Sequence, residues 1–245
     1  MLRFLTRPKW ILFHLLCVIG IVSMILLSLW QFDRMIERRN FNDEVRDRTS
    51  LPLIDIADVD STDLDPVDVE WRSAGAKGVY LVDEQVTIAN RSQNGRAGSN
   101  VVTPLRLDDG RIMLVNRGFV ALSESAPDAP VGEVRVVGTL RAGETRRTGQ
   151  PADAPGDLDE FLRLDIERLD QQIDGDLLDV VLALEQSDPA ESTLLAPVPL
   201  PELDGGPHLS YAIQWLIFAA AVAIGWVLAV RWSLRRRDPR SSPSA

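Results

Sequence analysis

The two histidines of the chain are the residues best suited to chemistry, because imidazole can ligate a metal or carry a proton. His14 lies within a long apolar segment, and His208 lies four residues before a second one. On a helix, His208, Tyr211, Trp215 and Phe218 would share one face at i, i+3, i+7 and i+10. Such a face can hold a flat, apolar, metal-containing ring with the imidazole as axial ligand. The alternative is an aromatic belt at a membrane surface beside a hydrated histidine.

No other residue type offers a convincing reactive group. The single cysteine, Cys17, lies inside the first apolar segment, which excludes disulfide bonds and thiol redox chemistry elsewhere in the chain. The sequence has no pattern typical of a hydrolase nucleophile, a phosphate-binding loop, a nucleotide-binding turn or a zinc cluster. Ser123 and Ser125 have no histidine in the surrounding sequence to activate them. We therefore expect that the protein is not an enzyme.

Two apolar segments are long enough to cross a bilayer. Residues 11–29 and 212–230 contain no Asp, Glu, Lys or Arg, and each spans about 28 Å as a helix. A buried core helix would need a larger soluble domain around it than the remaining residues supply. The exit from the first segment, around Trp30, has no small-residue cleavage site, so we expect an anchor and not a cleaved signal peptide. The sequence predicts transmembrane helices over residues 11–30 and 211–230.

The distribution of charge predicts the topology. The net charge is −10, but residues 1–10 and 231–245 together carry eight basic residues and one acidic residue. The rest of the chain carries 18 basic and 35 acidic residues. Because positive flanks stay in the cytoplasm, we predict that residues 1–10 and 231–245 are cytoplasmic and that residues 31–210 form an extracytoplasmic domain. The acidic domain excludes nucleic acid binding through phosphates, whereas the basic tail can contact anionic membrane lipid.

The segment between the anchors is predicted to be rich in strands. Residues 31–50 continue the first helix, which should end before Pro52. Asp165 can cap a short helix, and residues 108–110 (Asp-Asp-Gly) predict a hairpin turn. Six alternating or β-branched runs predict strands, at residues 79–82, 85–89, 100–107, 111–115, 133–140 and 179–184. The expected fold class is α+β: two transmembrane helices flank one mainly antiparallel β domain, or a small partly closed barrel, with one or two short helices.

The positions of the two histidines give them different roles. His14 is expected near the cytoplasmic face of the membrane and His208 near the outer face. At a helical rise of 1.5 Å per residue the two lie about 25 Å apart along the membrane normal, so they cannot both ligate one iron. We expect His14 to form a hydrogen bond between helices, since that is common for a neutral polar side chain in a membrane bundle. We also expect the two helices to pack together, with Gly225 at the close approach in a line of small residues that includes Ala221 and Ala229.

Six short segments, in this order, resemble the Surfeit locus protein 1 family. They are LWQFDR at 29–34, EWR at 70–72, GSNVVTPL at 98–105, VNRGFV at 115–120, GTLRAGE at 138–144 and GPHLSYAIQW at 206–215. Ser28 and Phe119 depart from residues that are frequent in the family, and the loop at residues 143–159 shows no clear correspondence. The last segment, which enters the second helix, is the most specific of the six.

The resemblance implies a membrane assembly factor for haem-A-containing cytochrome c oxidase that assists insertion of haem A into the main oxidase subunit. The implied cofactor is haem A, the implied ligand of its iron is His208, and Tyr211 and Trp215 would complete the binding face. The implied partners are cytochrome c oxidase subunits and the haem A synthesis machinery. The alternative is a membrane scaffold that stabilises oxidase assembly intermediates by protein contacts without binding haem.

The remaining family-motif residues are Trp30, Gln31, Arg34, Asn116, Arg117 and Gly118. From their residue types alone, Gln31 and Arg34 can simply anchor the helix at the interface. Asn116, Arg117 and Gly118 can simply form a tight turn with an internal ion pair. The ten residues before the first helix are too short for a mitochondrial presequence, and arginine is strongly preferred over lysine. We therefore expect a multi-pass protein of a bacterial plasma membrane.

Overall fold

The computed structural model describes residues 7–235, in which the chain divides into two compact units. One unit contains residues 7–43 and 202–235, and the other contains residues 44–201. The predicted cytoplasmic segments at residues 1–10 and 231–245 therefore lie largely outside the described residues.

Two long helices dominate the first unit. Helix α1 spans Pro8–Ser50 without a break, which confirms that residues 31–50 extend it and that it ends before Pro52. Helix α4 spans His208–Arg235. Both are long and apolar enough to cross a membrane, and only 6% of the residues in each apolar stretch are buried. A core helix of a soluble protein would be mostly buried, so the two helices indicate a membrane protein.

The two helices pack along a seven-residue repeat. The partly or fully buried positions of α1 include His14, Cys17, Ile21, Met24, Ser28, Gln31, Met35, Arg38 and Asn42. Those of α4 include His208, Ala212, Trp215, Ala219, Val222, Trp226 and Ala229. Alternating steps of three and four residues are typical of left-handed coiled-coil packing. The predicted contact between the helices is therefore confirmed, and α1 and α4 share one long seam.

The predicted close approach at Gly225 is wrong. Gly225 is exposed, and a Cβ added there would meet nothing within 4 Å. Ala212 and Ala219 are the buried small residues, and the Ser28 hydroxyl donates a hydrogen bond to the Ala212 carbonyl at 3.0 Å. Gly225 precedes the seam residue Trp226 by one position, which turns it about 100° around the helix and away from α1.

The second unit is a closed β-barrel with additions. Its strands are β1 (Ile54–Asp55), β2 (Ser73–Tyr80), β3 (Val86–Gln93), β4 (Arg96–Leu107), β5 (Ile112–Ala121), β6 (Glu133–Ala142), β7 (Glu160–Phe161) and β8 (Leu177–Asp188). They form one sheet in the order β1-β2-β6-β8-β5-β4-β3-β7, and β2 also pairs with β4. That extra pairing closes a five-stranded ring. The long strands pair antiparallel except for the parallel pair β5–β8.

The predicted fold class is confirmed, and the barrel is the form that the domain takes. Five of the six predicted strands are present, the sixth (79–82) overlaps only the last two residues of β2, and the turn at residues 108–110 joins β4 to β5. Two short helices, α2 (Pro66–Val69) and α3 (Ile166–Asp170), accompany them. The Asp165 carboxylate accepts a hydrogen bond from the backbone N–H of Arg168 and so caps α3. Strand β2 begins six residues before its predicted start. The prediction missed its first half because that half is rich in Ser, Ala and Gly and lacks the β-branched residues typical of strands.

The barrel requires glycine where strands β2 and β4 meet. A Cβ on Gly78 would lie 2.2 Å from the carbonyl oxygen of Arg106 on β4. The interior is filled by a cluster that includes Tyr80, Met113 and Leu182. A second cluster, which includes Phe161, covers part of the outer face below α3. The strands that contribute to both clusters are therefore packed on their inner and outer faces.

Candidate functional site

His208 is the first residue of α4, and its ring is held by α1. Its Nδ1 lies 2.9 Å from the side-chain oxygen of Gln31. The Gln31 amide is oriented with its oxygen toward Nδ1, and in this orientation Nδ1 must carry the proton, because an amide oxygen can only accept a hydrogen bond. A neutral imidazole has one N–H, and the lone pair is therefore on Nε2. Histidines that ligate metals usually donate their other ring N–H to an oxygen acceptor in this way.

The chain leaves room at the Nε2 edge of His208. Gly206 has a positive φ of 59°, and a Cβ at this position would lie 3.2 Å from Nε2 and 3.0 Å from Cδ2 of the His208 ring. Any larger residue would crowd the nitrogen that carries the lone pair. Glycine at position 206 thus allows the turn into α4 and keeps this edge of the imidazole open.

The segment that leads into α4 is fastened to α1. The Arg38 guanidinium donates to the carbonyl oxygens of Glu202 at 2.6 Å and Asp204 at 3.4 Å, and it pairs with the Asp204 carboxylate at 3.2 Å. The Asn42 amide donates to the same Asp204 carbonyl at 2.7 Å. Ser28 fastens the first turn of α4 in the same manner. Together these contacts fix the height of His208 along α1.

The predicted aromatic face of α4 is divided by the packing against α1. His208 and Trp215 are partly buried in the seam, whereas Tyr211 and Phe218 are exposed beside it. Trp215 and Phe218 form an edge-to-face pair with ring centroids 6.0 Å apart. The structure therefore places Tyr211 and Phe218 on the outward-facing side of the helix, next to a seam that contains the histidine.

His14 has the opposite hydrogen-bonding role. The Trp226 indole N–H donates to Nδ1 of His14 at 2.7 Å, which confirms the expected hydrogen bond between helices. An indole nitrogen can only donate, so the proton of His14 is on Nε2 and its lone pair is already used. Rings of Trp10 and Phe13 also lie beside it, with centroids 5.6 and 5.9 Å away. His14 is therefore a packing residue of the helix pair.

Trp30 and Arg34, which flank Gln31 in the sequence, lie on the exposed side of α1. The Arg34 guanidinium is 5.7 Å from the centroid of the Trp30 ring and pairs with Glu37 at 2.7 Å. Of the three motif residues in this segment, the structure brings only Gln31 to His208. A role of Trp30 and Arg34 as interface anchors stays a prediction.

Residues 116–118 form a β-bulge, and the predicted tight turn is wrong. They lie inside β5, where Asn116 pairs with Val102 and Gly118 pairs with Val101, so that Arg117 is the extra residue. The bulge arises because Gly118 has a φ of +138° and the strand continues beyond it. A Cβ on Gly118 would lie 2.7 Å from the carbonyl oxygen of Ala196, which pairs with the next residue of β5.

Arg117 is the most completely buried charge of the described domain, with 0% of its side chain exposed, and the expected internal ion pair is confirmed. It pairs with Glu191 at 2.6 Å and also donates to Gln85 Oε1 and to the carbonyl oxygens of Pro127 and Asp128. Nearby, burial and the negative charge of Glu191 raise the pKa of the Tyr80 hydroxyl, although the positive charge of Arg117 opposes the shift. The cluster joins segments that are far apart in the sequence.

A polar cleft of about 430 Å³ lies on the outer face of the barrel, and three of the six motif segments line it. Asn100, Asn116 and Glu144 each come from one of these segments. Both carboxylate oxygens of Glu144 pair with Arg91 at 2.7–2.8 Å. The cleft therefore combines side-chain amides with a charge pair whose two members lie on β3 and in the segment that follows β6.

A fourth motif segment, at residues 70–72, supports the wall of the same cleft through Arg141. Arg141 lines the cleft, and its guanidinium stacks 3.7 Å from the centroid of the Trp71 ring. It also donates to the Glu70 carboxylate at 3.3 Å. The segment that follows α2 thus fixes the position of a cationic side chain in the cleft.

The charged residues of this cleft, and Glu191 of the Arg117 cluster, were not predicted from the sequence. Glu70, Arg141 and Glu144 were within segments that carry the resemblance, which was a signal that these residues have roles. Arg91 and Glu191 gave no signal, because a single sequence does not reveal which charged residues, distant along the chain, pair in the fold.

Comparisons with known proteins agree with the resemblance. The model of the SURF1 family matches residues 18–220. An uncharacterized SURF1-like protein of Mycobacterium bovis is 27% identical over 251 aligned positions, which cover 99% of this chain and 92% of the relative. A SURF1-like protein of Rickettsia bellii is 23% identical over 218 positions, with 84% and 86% covered. Surfeit locus protein 1 of Takifugu rubripes is 30% identical over 143 positions, with 51% and 60% covered. The chain therefore belongs to the SURF1 family, which is known generally as a family of cytochrome oxidase assembly factors and not of enzymes.

Proposed function

We propose that this protein assists the insertion of haem A into the main subunit of cytochrome c oxidase and that His208 takes the haem iron through Nε2. The hydrogen bond between His208 and Gln31 carries the proposal, since it leaves the Nε2 lone pair available. Membership of a family of oxidase assembly factors supports the assignment of the protein to oxidase assembly. Haem A is the cargo here, and it supplies electron-transfer and oxygen chemistry once it is part of the oxidase.

The residues around His208 fit a flat, apolar ligand. Gly206 keeps the Nε2 edge of the imidazole open, Tyr211 is exposed on the outward-facing side of α4, and Trp215 lies in the seam beside it. Imidazole nitrogen is a common axial ligand of haem iron, and apolar surroundings limit the access of water to it. A second axial ligand would come from methionine, water or another molecule. His14 does not fit the role, because its Nδ1 accepts from Trp226.

The proposal includes a topology. Basic residues flank both apolar helices at the ends that contain residues 1–10 and 231–245, so these ends face the cytoplasm and residues 31–210 face outwards. His208 then lies at the outer surface of the membrane. We infer the plasma membrane of a bacterium, where haem A and the oxidase subunits are made and assembled.

The two histidines supply a matched test of the haem proposal. The full chain is expressed together with haem A synthesis enzymes, purified in detergent and examined for a haem absorbance band. The wild-type protein and a His14→Ala variant should carry the band, whereas a His208→Ala variant should lose it and should support less oxidase assembly. Equal amounts of all three proteins in the membrane show that folding is unaffected. A band that persists in His208→Ala contradicts the assignment of the ligand.

The polar cleft of the barrel favours a second candidate function, a scaffold that binds oxidase subunits without touching haem. Its walls contain paired charges, Arg91 with Glu144 and Arg141 with Glu70, together with side-chain amides that can bind another protein. In that case wild-type protein carries no haem. An Asn100→Leu variant would then lower oxidase assembly, and His208→Ala would not.

A further inference from the structure

We propose that Gln31 is a positioning residue that holds His208 in the tautomer with a free Nε2 lone pair. The inference rests on the proposed function for its purpose, but the tautomer itself is a property of the protein without haem. Gln31 lies on α1 and His208 on α4, so one helix determines the protonation pattern of a side chain on the other.

The chemistry of the partners decides the tautomer at both histidines. The Gln31 oxygen accepts, which places the His208 proton on Nδ1. The Trp226 nitrogen donates, which places the His14 proton on Nε2. In free histidine the proton is more often on Nε2, the pattern that would block ligation through that nitrogen. The pair with Gln31 is therefore what makes His208 different from an unrestrained histidine and from His14.

The surrounding contacts keep Gln31 and His208 at the same height. Ser28, one helical turn before Gln31, fastens the carbonyl of Ala212, one turn after His208. On the other side, Arg38 and Asn42 fasten the segment that enters α4. Gln31 lies between these contacts on the same stripe of α1. The geometry is thus over-determined at the point where the two side chains meet, as expected for a positioned ligand.

A purely structural role for Gln31 makes a different prediction. In a purely structural role, Gln31 would only provide a hydrogen-bond partner for a polar group between two membrane helices. Its loss would then reduce the amount of folded protein without changing the tautomer of His208. The tautomer of His208 separates the two roles, because it responds to the hydrogen-bond partner and not to the level of protein.

The test is nitrogen NMR of histidine-labelled full-length protein in detergent, without haem and at alkaline pH where imidazole is neutral. The chain has two histidines, so a His14→Phe variant assigns both signals. The wild type should show His208 protonated on Nδ1. A Gln31→Leu variant should move the proton to Nε2, and Gln31→Glu should keep it on Nδ1, because a carboxylate also accepts. The matched control is Gln214→Leu, an exposed glutamine of α4, which should leave the signal unchanged.

A titration of the same proteins with haemin connects the tautomer to binding. Gln31→Leu should weaken haemin binding about 10- to 100-fold, the usual effect of removing the partner of a ligating histidine, while Gln31→Glu and Gln214→Leu should bind as the wild type does. His208 protonated on Nε2 in the wild type, or a tautomer that is the same in Gln31→Leu, overturns the inference. Wild-type protein that has the expected tautomer but binds no haemin overturns the proposed function and leaves the positioning by Gln31 established.

Discussion

Replacing Arg117 by leucine should destabilise the barrel severely. The guanidinium is fully buried, and Glu191, its partner at 2.6 Å, is only 13% exposed. Leucine leaves that carboxylate without its counter-charge. It also removes the hydrogen bonds that Arg117 donates to Gln85 Oε1 and to the carbonyls of Pro127 and Asp128, although Gln85 Oε1 and the Pro127 carbonyl keep a second donor. Breaking a buried ion pair from one side costs about 3–5 kcal/mol. That is a large part of the roughly 5–15 kcal/mol by which a domain is stable.

The partner's variant should cost less. Glu191→Gln removes the charge, but Arg117 keeps its neutral acceptors, so we expect a loss of about 1.5–3 kcal/mol, the range for hydrogen bonds to charged groups. An Arg117→Leu/Glu191→Leu double variant should lose less stability than the sum of the losses of Arg117→Leu and Glu191→Leu, by about 0.5–3 kcal/mol. The reason is that the second change removes the uncompensated charge. Arg117→Lys is the control that keeps the charge and loses the planar fork of donors.

Urea unfolding of the full chain in detergent, followed by pulse proteolysis, measures these differences as shifts of the midpoint at constant slope. A loss of less than about 1 kcal/mol for Arg117→Leu would contradict the reasoning, because such a value is typical of an exposed ion pair. Strictly additive losses in the double variant would also refute it, since they would show that Arg117 and Glu191 do not stabilise each other.

Three further predictions concern the helices, the topology and acid stability. Ala219→Leu should lower the amount of folded protein in the membrane, because Ala219 is only 6% exposed in the helix seam. Gly225→Leu should not lower it, because the added side chain lies in open space. Immunoblots of membrane fractions compare the two variants. A reporter fused to the C-terminal tail should be active only if it functions in the cytoplasm, and a periplasmic reporter that is active there would reverse the assignment of residues 31–210. Burial raises the pKa of Asp109, but hydrogen bonds from Arg111 outweigh it and lower the pKa below the usual value of about 3.9. The stabilisation by this carboxylate is therefore present above that value and disappears as the pH falls through the folded-state pKa. When the urea midpoint is measured against pH, Asp109→Asn should reduce the fall of the midpoint at acid pH. An unchanged fall would contradict this prediction.

Local sequence patterns sufficed for the elements whose signals lie within a few residues. The apolar runs of 11–29 and 212–230, the Asp-Asp-Gly turn and the Asp165 cap each depend on neighbours in the chain, and each is found where it was predicted. Strand β2 was predicted short because its small residues have low strand propensity, and its pairing with β4 and β6 overrides that preference.

The candidate site was predictable in part. Two histidines in the whole sequence made His208 and His14 conspicuous, and the 206–215 segment distinguished them. That Gln31 belongs with His208 could not be derived, since 177 residues separate the two. The same limit applies to Arg117 and Glu191, which are 74 residues apart.

The sequence by itself determined two apolar helices and a strand-rich acidic segment between them, because composition and short-range periodicity decide these features, and its two histidines limited the choice of a candidate ligand. The tertiary structure alone decided the rest. It selected Ala212 and Ala219 over Gly225 for the helix contact, because the phase of a seam depends on which face of each helix meets the other. It closed the barrel through β2 and β4 and made a bulge of residues 116–118. It also placed an acceptor beside Nδ1 of His208 but a donor beside Nδ1 of His14, because the partner of each ring comes from the other helix.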